Sequence, residues 1–342
     1  MLKYLKPYFA LNFKPAIADR KERFIMTAPT FQIVTDSSCD LSDAFLEGKN
    51  VHVVPFYVSF DDSVEYKEKL DLSLDDFYKR VIDNPTVFPK TSLPSVQDFY
   101  SAFVPYVEKG LPVICICIST KFSGSYNSAR LAAEMIGDEY PGAKIAVIDS
   151  MVNTVLQGLV VLEATRMLDN RVDFDTAVAS LNSIKETGRI IFTVGNTDYL
   201  RHGGRIGKLA GIATATLGIK PLILLQNGEI YPAGITRNRK RALNKMLGFT
   251  KDYFAKLNDD IRNYTFIIGY GDDLEEADNV RKELMSTIEL PDYSPSVPLN
   301  KIGAAIAVHT GPYAIGIAFL RKYDAPAMQA ATTATKLVTN IN

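Results

Sequence analysis

From Phe31 onward, short unbroken apolar runs alternate with stretches patterned as amphipathic helices, and this alternation limits the fold more than any other feature. The run "LPVICICIST" (111–120) is apolar at every position from Val113 to Ile118, so it reads as a strand covered on both faces. Its neighbours follow the same plan. "FQIVTDSS", "VHVVPFYVSF" and "AKIAVIDS" read as strands, "SLDDFYKRVI" as a helix with Ser73 at its N-cap, and "KFSGSYNSARLAAEMI" as a loop running into a helix. Together they predict an α/β fold whose N-terminal part is a mostly parallel sheet with helices on both faces. Ligands of such sheets lie beyond the carboxyl ends of the strands. Three strands end there in polar groups, Asp36-Ser37-Ser38, Ser119-Thr120 and Asp149-Ser150, which would converge on one rim.

A second block follows helices expected over 155–168 and 174–185. "RIIFTVGNTDYLRHGGRIG" reads as strand, short helix and glycine turn, and "LGIKPLILLQNGEIYPAG" as a hairpin turning at Asn227-Gly228. Next come a basic helix over 237–254, the strand "YTFIIGYG", a helix over 274–288, a proline-rich linker over 291–298 and a strand "KIGAAIAVHTGP". With 342 residues, 47% of them apolar, the chain can bury the cores of two ordinary domains. The division expected is an extension over 1–29, an N-terminal α/β domain over 30–185 and a C-terminal α/β domain with a mixed sheet over 186–342. The extension is basic and interrupted by Pro7 and Pro15, without the apolar core of a secretory signal. It reads either as a misassigned start ahead of Met26 or as a surface helix (Leu2, Leu5, Phe9) that touches lipid headgroups.

Composition removes several function classes. Lys and Arg total 38 against 39 Asp and Glu, so the overall charge gives no reason to expect nucleic acid as a partner. The three cysteines, Cys39, Cys115 and Cys117, form no C-x-x-C and fit a reducing cytoplasm, and Cys115 and Cys117, alternating with isoleucines in a strand-like run, read as buried core thiols. No segment reaches about 18 consecutive apolar residues, so no transmembrane helix is expected.

The candidates for chemistry are few. "KTSLPS" places Thr91 and Ser92 in an expected loop ahead of an amphipathic helix (Val96, Phe99, Phe103, Val107), a suitable address for an anion. Of three histidines, His52 sits among valines and reads as structural, and His202 lies in a basic glycine turn. His309 closes an apolar run before Thr310-Gly311-Pro312; it is either a core histidine or an imidazole facing a loop mouth. "SGSY" imitates a nucleophile elbow but lacks the outer glycines, leaving a serine hydrolase using Ser123 or Ser125 with His309 as the alternative function. "HGGRIGKLA" misses the P-loop spacing at His202 and Leu209, "IIGYGDD" lacks the third glycine of a dinucleotide loop, and no metal spacing occurs. Arg201 and Arg205 bracket Gly203-Gly204 as solvated surface or as a phosphate or partner contact.

Taken in order, "IVTDSSCDL", "PKTSLPSVQDFYSAF", "CISTKFSGSYNSA", "VIDSM", "DYLRHGGRIG", "GIKPLI", "RNRKRA" and "HTGP" resemble the serial motifs of the DegV family over about residues 31–322. That family of lipid-binding proteins includes the fatty-acid-binding subunit of bacterial fatty acid kinase. The resemblance implies a two-domain protein that is not an enzyme by itself and uses no cofactor. Its ligand would be one long-chain fatty acid, presented to an ATP-binding kinase subunit for conversion to acyl phosphate in phospholipid synthesis. It implies a cytoplasmic location, room for transient membrane contact and no nucleic acid. Carried over, Thr91, Ser123 and His309 would surround the carboxyl group, with Ser92, Gly124, Ser125, Thr310 and Gly311 as secondary pocket candidates. Arg201 and Arg205 would meet phosphate or the kinase. Ser125 stands where the family has Thr in S-G-T-Y, Tyr313 where a small glycine is common, and Thr154 and Gln157 in a stretch usually rich in Ser and Gly. Tyr313 would narrow the pocket or change the preferred acyl chain.

Overall fold

The structure, a computed structural model, describes residues 29–61, 63–209, 219–257, 259–288 and 296–326. The expectations for the extension, and for most of the linker over 291–298, lie outside the described residues. Strands β1 (Gln32–Asp36), β2 (Val51–Val54), β6 (Val113–Cys117) and β7 (Ile145–Asp149) form a parallel sheet in the order β2-β1-β6-β7. Every residue of β1 and β6 is buried, β6 as its two-sided apolar run requires and β1 with Gln32, Thr35 and Asp36 making hydrogen bonds in the core. One face carries α3 (Val96–Val107) and α4 (Ser125–Glu139), which pack Phe99, Phe103 and Ala129 against Val34, Cys115 and Cys117. Ser95 and Asp98 close a capping box at the start of α3, and Ser73 caps α2 (Leu74–Asp83) by accepting from the Asp76 N–H at 3.1 Å.

The other face carries α5 (Thr154–Asp169). Thirteen of its 16 residues are buried, a pattern that a surface helix cannot have. It packs on β1 and β6 and, on its far side, on a second sheet. That sheet has the order β10-β9-β8-β13-β11-β12, built from β8 (Arg189–Thr193), β9 (Lys220–Gln226), β10 (Glu229–Thr236), β11 (Tyr264–Tyr270), β12 (Leu299–Lys301) and β13 (Ile315–Arg321). It is mixed: β11 and β12 run parallel and the other neighbours antiparallel. Asn227 and Gly228 turn the β9–β10 hairpin with φ of 51° and 81°, the left-handed pair of a tight two-residue turn. Helices α6 (Phe174–Ile184), α7 (Asp198–His202), α8 (Arg239–Lys256), α9 (Leu274–Ile288) and α10 (Ala304–Thr310) follow α5, and the short α1 (Asp43–Leu46) lies between β1 and β2. Helices α8 and α9 cover the outer face of the second sheet.

Four local expectations change. "VHVVPFYVSF" is two strands, because Pro55 and Phe56 separate β2 from β3 (Tyr57–Ser59) and Pro55 has no N–H for a ladder. Lys90–Ser92 is a strand, β5, rather than a loop; it pairs antiparallel with β3 in a small sheet completed by β4 (Tyr66–Lys67). "KIGAAIAVHTGP" is strand only as far as Lys301 and then becomes α10, since an apolar run rich in alanine is equally a buried helix. Strand β13, central in its sheet, was not among the expected elements.

One buried carboxyl joins these layers. Asp36, at the end of β1, accepts from the Ile118 N–H after β6 (3.0 Å), Ser125 Oγ at the start of α4 (2.7 Å), Gln157 Nε2 of α5 (3.0 Å) and Ser38 Oγ. Burial raises its pKa, and the bonds from Ser38, Gln157 and Ser125 oppose that rise. Asp36→Ala strands these donors without water and is expected to cost about 3–5 kcal/mol in a urea unfolding curve. A loss under about 1 kcal/mol would show that the layers do not depend on this group.

Candidate ligand-binding site

The carboxyl rim of the parallel sheet, the small sheet and α10 enclose a cavity of about 90 Å3. Thr91 reaches it from β5, where pairing with Val58 of β3 fixes its height. Ser123 reaches it from the loop before α4, and its Oγ accepts the Ser125 N–H at 3.2 Å. His309 and Thr310 come from the last turn of α10, and Arg205 from the turn after α7. Phe56, Ile118, Phe122, Phe192 and Ile306 supply apolar wall.

His309 Nε2 lies 3.3 Å from Thr91 Oγ1, the only polar contact made by the ring among the described residues. Its Nδ1 is buried without a hydrogen-bond partner. Gly203 makes this packing feasible: a Cβ there would lie 2.1 Å from Nδ1, so any side chain would collide with the ring. Burial first, and the charge of Arg205 second, lower the His309 pKa to about 4. The imidazole is therefore neutral at physiological pH. Arg205 is held in place by carbonyls, with Nε donating to Phe122 O at 3.2 Å and Nη1 to Gly203 O at 2.9 Å. It thereby ties the Ser123 loop to the glycine turn behind the histidine.

Thus Thr91, Ser123, His309, Thr310 and Arg205 share one cavity. The other candidates do not line it. Ser92 is exposed and donates to Glu65; Gly124 is the N-cap of α4 beneath Leu93; Gly311 ends α10 with φ 75° against the Tyr199 ring. Arg201 is exposed and pairs with Asp198 at 3.5 Å. Ser125 is fully buried and donates to Asp36 instead of a histidine. His309 meets Thr91, and no described hydrogen bond joins it to Ser123 or Ser125, so the Ser–His pair that a hydrolase needs is not made. Tyr313 is half exposed over Gly195 and does not narrow this cavity. His52 bonds Tyr106 at 3.1 Å, the structural role expected of it.

Ser38 and Asn153 also line the cavity and were not among the candidates. Ser38 belongs to a strand end already marked as rim. Asn153 is the N-cap of α5, yet its side chain makes no capping bond, leaving its amide to the cavity. Among the described residues no cluster of three His, Cys, Asp or Glu could hold a metal ion, and no helix is long and apolar enough to cross a membrane.

Residues 30–322 match the family described as "Uncharacterised protein, DegV family". A DegV domain-containing protein of Clostridium acetobutylicum is 31% identical over 292 residues, spanning 85% of this chain and 98% of the relative. A stearic acid-binding protein from Eubacterium ventriosum is 44% identical with a TM-score of 0.80, the match covering 86% of this chain and 99% of the other. A fatty-acid-binding DegV family protein from Thermus thermophilus is 28% identical with a TM-score of 0.74, covering 85% and 99%. With a family match that takes in both sheets and the cavity between them, the chain belongs to the DegV family.

Proposed function

We propose that the chain binds a long-chain fatty acid, with the carboxyl group at Thr91, Ser123 and His309 and the tail against the apolar wall. One observation carries this reading: polar groups as far apart in sequence as Thr91 and His309, 218 residues, meet at a cavity otherwise walled largely by hydrocarbon. A fatty acid has the same division. Each buried methylene contributes about 0.8 kcal/mol, so a long tail supplies on the order of 10 kcal/mol gross. The head group needs hydrogen bonds once water is excluded, and two hydroxyls and a neutral imidazole N–H supply them. Fatty-acid-binding relatives with the same fold support the assignment.

The head group is then to be handed on rather than transformed. Hydroxyl donors leave one carboxylate oxygen open, whereas a bidentate guanidinium would engage both. Arg205 is kept to the side by its bonds to Phe122 and Gly203. The open oxygen can attack the γ-phosphorus of ATP held by a separate kinase. The new C(O)–O–P linkage forms as the bond to ADP breaks, and an acyl phosphate results. In this reading the chain is the substrate-presenting subunit of a two-component fatty acid kinase in the cytoplasm, and Arg201 and Arg205 lie on the side that meets phosphate or partner. Radiolabel from γ-labelled ATP should enter bound fatty acid only when a fatty acid kinase subunit is added. Labelling by this chain alone would refute the division of labour.

Lipids extracted from freshly purified protein and identified by mass spectrometry should include a long-chain fatty acid near one per chain. His309→Ala should weaken its binding about tenfold or more, the value of one hydrogen bond to a charged group. Protein that carries no such acid and binds none when supplied would sink the proposal. A pH effect follows from the same histidine. Its ordinary pKa of 6.5 in the unfolded chain falls to about 4 on folding, so between these values the unfolded state holds the extra proton. Stability conferred by neutral His309 is present above pH 6.5 and is lost as pH falls to 4, by about 3 kcal/mol in all. Buried Asp36, Asp40 and Glu68 have raised pKa values and act in the opposite sense, but equally in a His309→Asn variant. The difference between wild type and variant should therefore slope across this window; a flat difference would contradict the neutral imidazole.

A further inference from the structure

A second space of about 40 Å3 lies behind the Thr91–His309 cavity and shares Asn153, Phe192, Ile306 and Thr310 with it as walls. Apart from Asn153, Thr154 and Thr310, its lining is hydrocarbon side chain and glycine. Its floor is an exceptional piece of sheet. In the strand register Gly316 of β13 sits between Phe192 of β8 and Gly269 of β11, so two side chains are missing side by side in the middle of a six-stranded sheet. Glycine within a strand weakens it and commonly marks a place that another group approaches closely.

The missing side chains would have projected toward α5 and into this space. A methyl group at 269 would lie 3.0 Å from Val155 and 3.5 Å from Ile302, and one at 316 would lie 2.8 Å from Phe192 and 3.1 Å from Ile190. Size adds a second argument. An apolar cavity of about 150 Å3 accommodates a benzene, so the front space of about 90 Å3 and the rear one of about 40 Å3, even joined, take a long alkyl chain only together with the volume that a moving wall side chain vacates. Phe192 stands at the boundary of both.

We infer that the two spaces are one tail channel, joined when Phe192 turns aside, and that Gly269 and Gly316 form its closed end and so set the longest acyl chain accepted. This rests on the fatty-acid reading above. The head-group residues have no part in the length limit; the limit lies in how much of the rear space the sheet leaves open.

Wild type, Gly269→Ala and Ile302→Ala are each equilibrated with an equimolar mixture of saturated acids from dodecanoic to eicosanoic, and bound lipid is quantified by mass spectrometry. Folding is checked by circular dichroism. Gly269→Ala should lower the ratio of octadecanoate to dodecanoate about tenfold, the worth of about two methylenes denied burial. Ile302→Ala, which enlarges the same end, should raise the ratio of eicosanoate to dodecanoate, and this arm decides the matter if Gly269→Ala does not fold. Ratios unchanged within about twofold in folded variants would overturn the inference while leaving fatty-acid binding intact. Wild type that binds no acid of any length would instead sink the fatty-acid reading, and the inference with it.

Discussion

A carboxyl group sealed from water at the end of the first strand sets the geometry on which the site depends. Asp36 cannot be hydrated, so its oxygens must be met by the protein, and the donors come from Ser38, the end of β6, the start of α4 and the first turn of α5. Each bond fixes one more backbone relative to β1. The loop bearing Ser123 lies directly before Ser125, one of these donors, and the rim residue Ser38 is another. Polar satisfaction in the core thus determines where the cavity's hydroxyls stand.

The cavity itself is built by a similar exclusion. Gly203 lets the imidazole of His309 come against backbone, which leaves Nδ1 without a partner and turns Nε2 to Thr91. Arg205 contributes a positive field there, while carbonyl bonds from its Nε to Phe122 and its Nη1 to Gly203 fix where the guanidinium stands. A neutral donor with a cation held close by suits an anionic head group that must be bound and later released. A direct ion pair in so dry a place would cost far more to form and to break.

Much of the fold was legible because the layers impose periodicity: apolar runs ending in polar groups marked β1, β6 and β7, and the cap Ser73 marked the start of α2. Legibility failed where apolar character persists across a change of structure. The run through Val54-Pro55-Phe56 hides a change of sheet, and "AAIAV" is as apolar in α10 as a strand would be. Of the site, Thr91, Ser123 and His309 stand out locally as a hydroxyl loop, an imitation of a nucleophile elbow and a histidine closing an apolar run, but only the family resemblance groups them, since nothing local shows that residues 218 apart will meet. Ser38 and Asn153 look in sequence like an ordinary strand end and an ordinary helix cap. Only the folded chain separates Arg205, which lines the cavity, from Arg201, which does not.

Helix α5 is buried almost all round because two sheets use it as their common inner layer. Neither sheet possesses a complete core of its own: remove one, and the other is left facing water across an apolar helix side. The natural unit of unfolding is therefore the whole described body rather than either sheet, and a nick in the connection between α6 and β8 would leave two fragments that still need each other. A molecule lodged at the start of α5 then stiffens the layer on which both sheets rest, so its effect spreads over the entire cooperative unit.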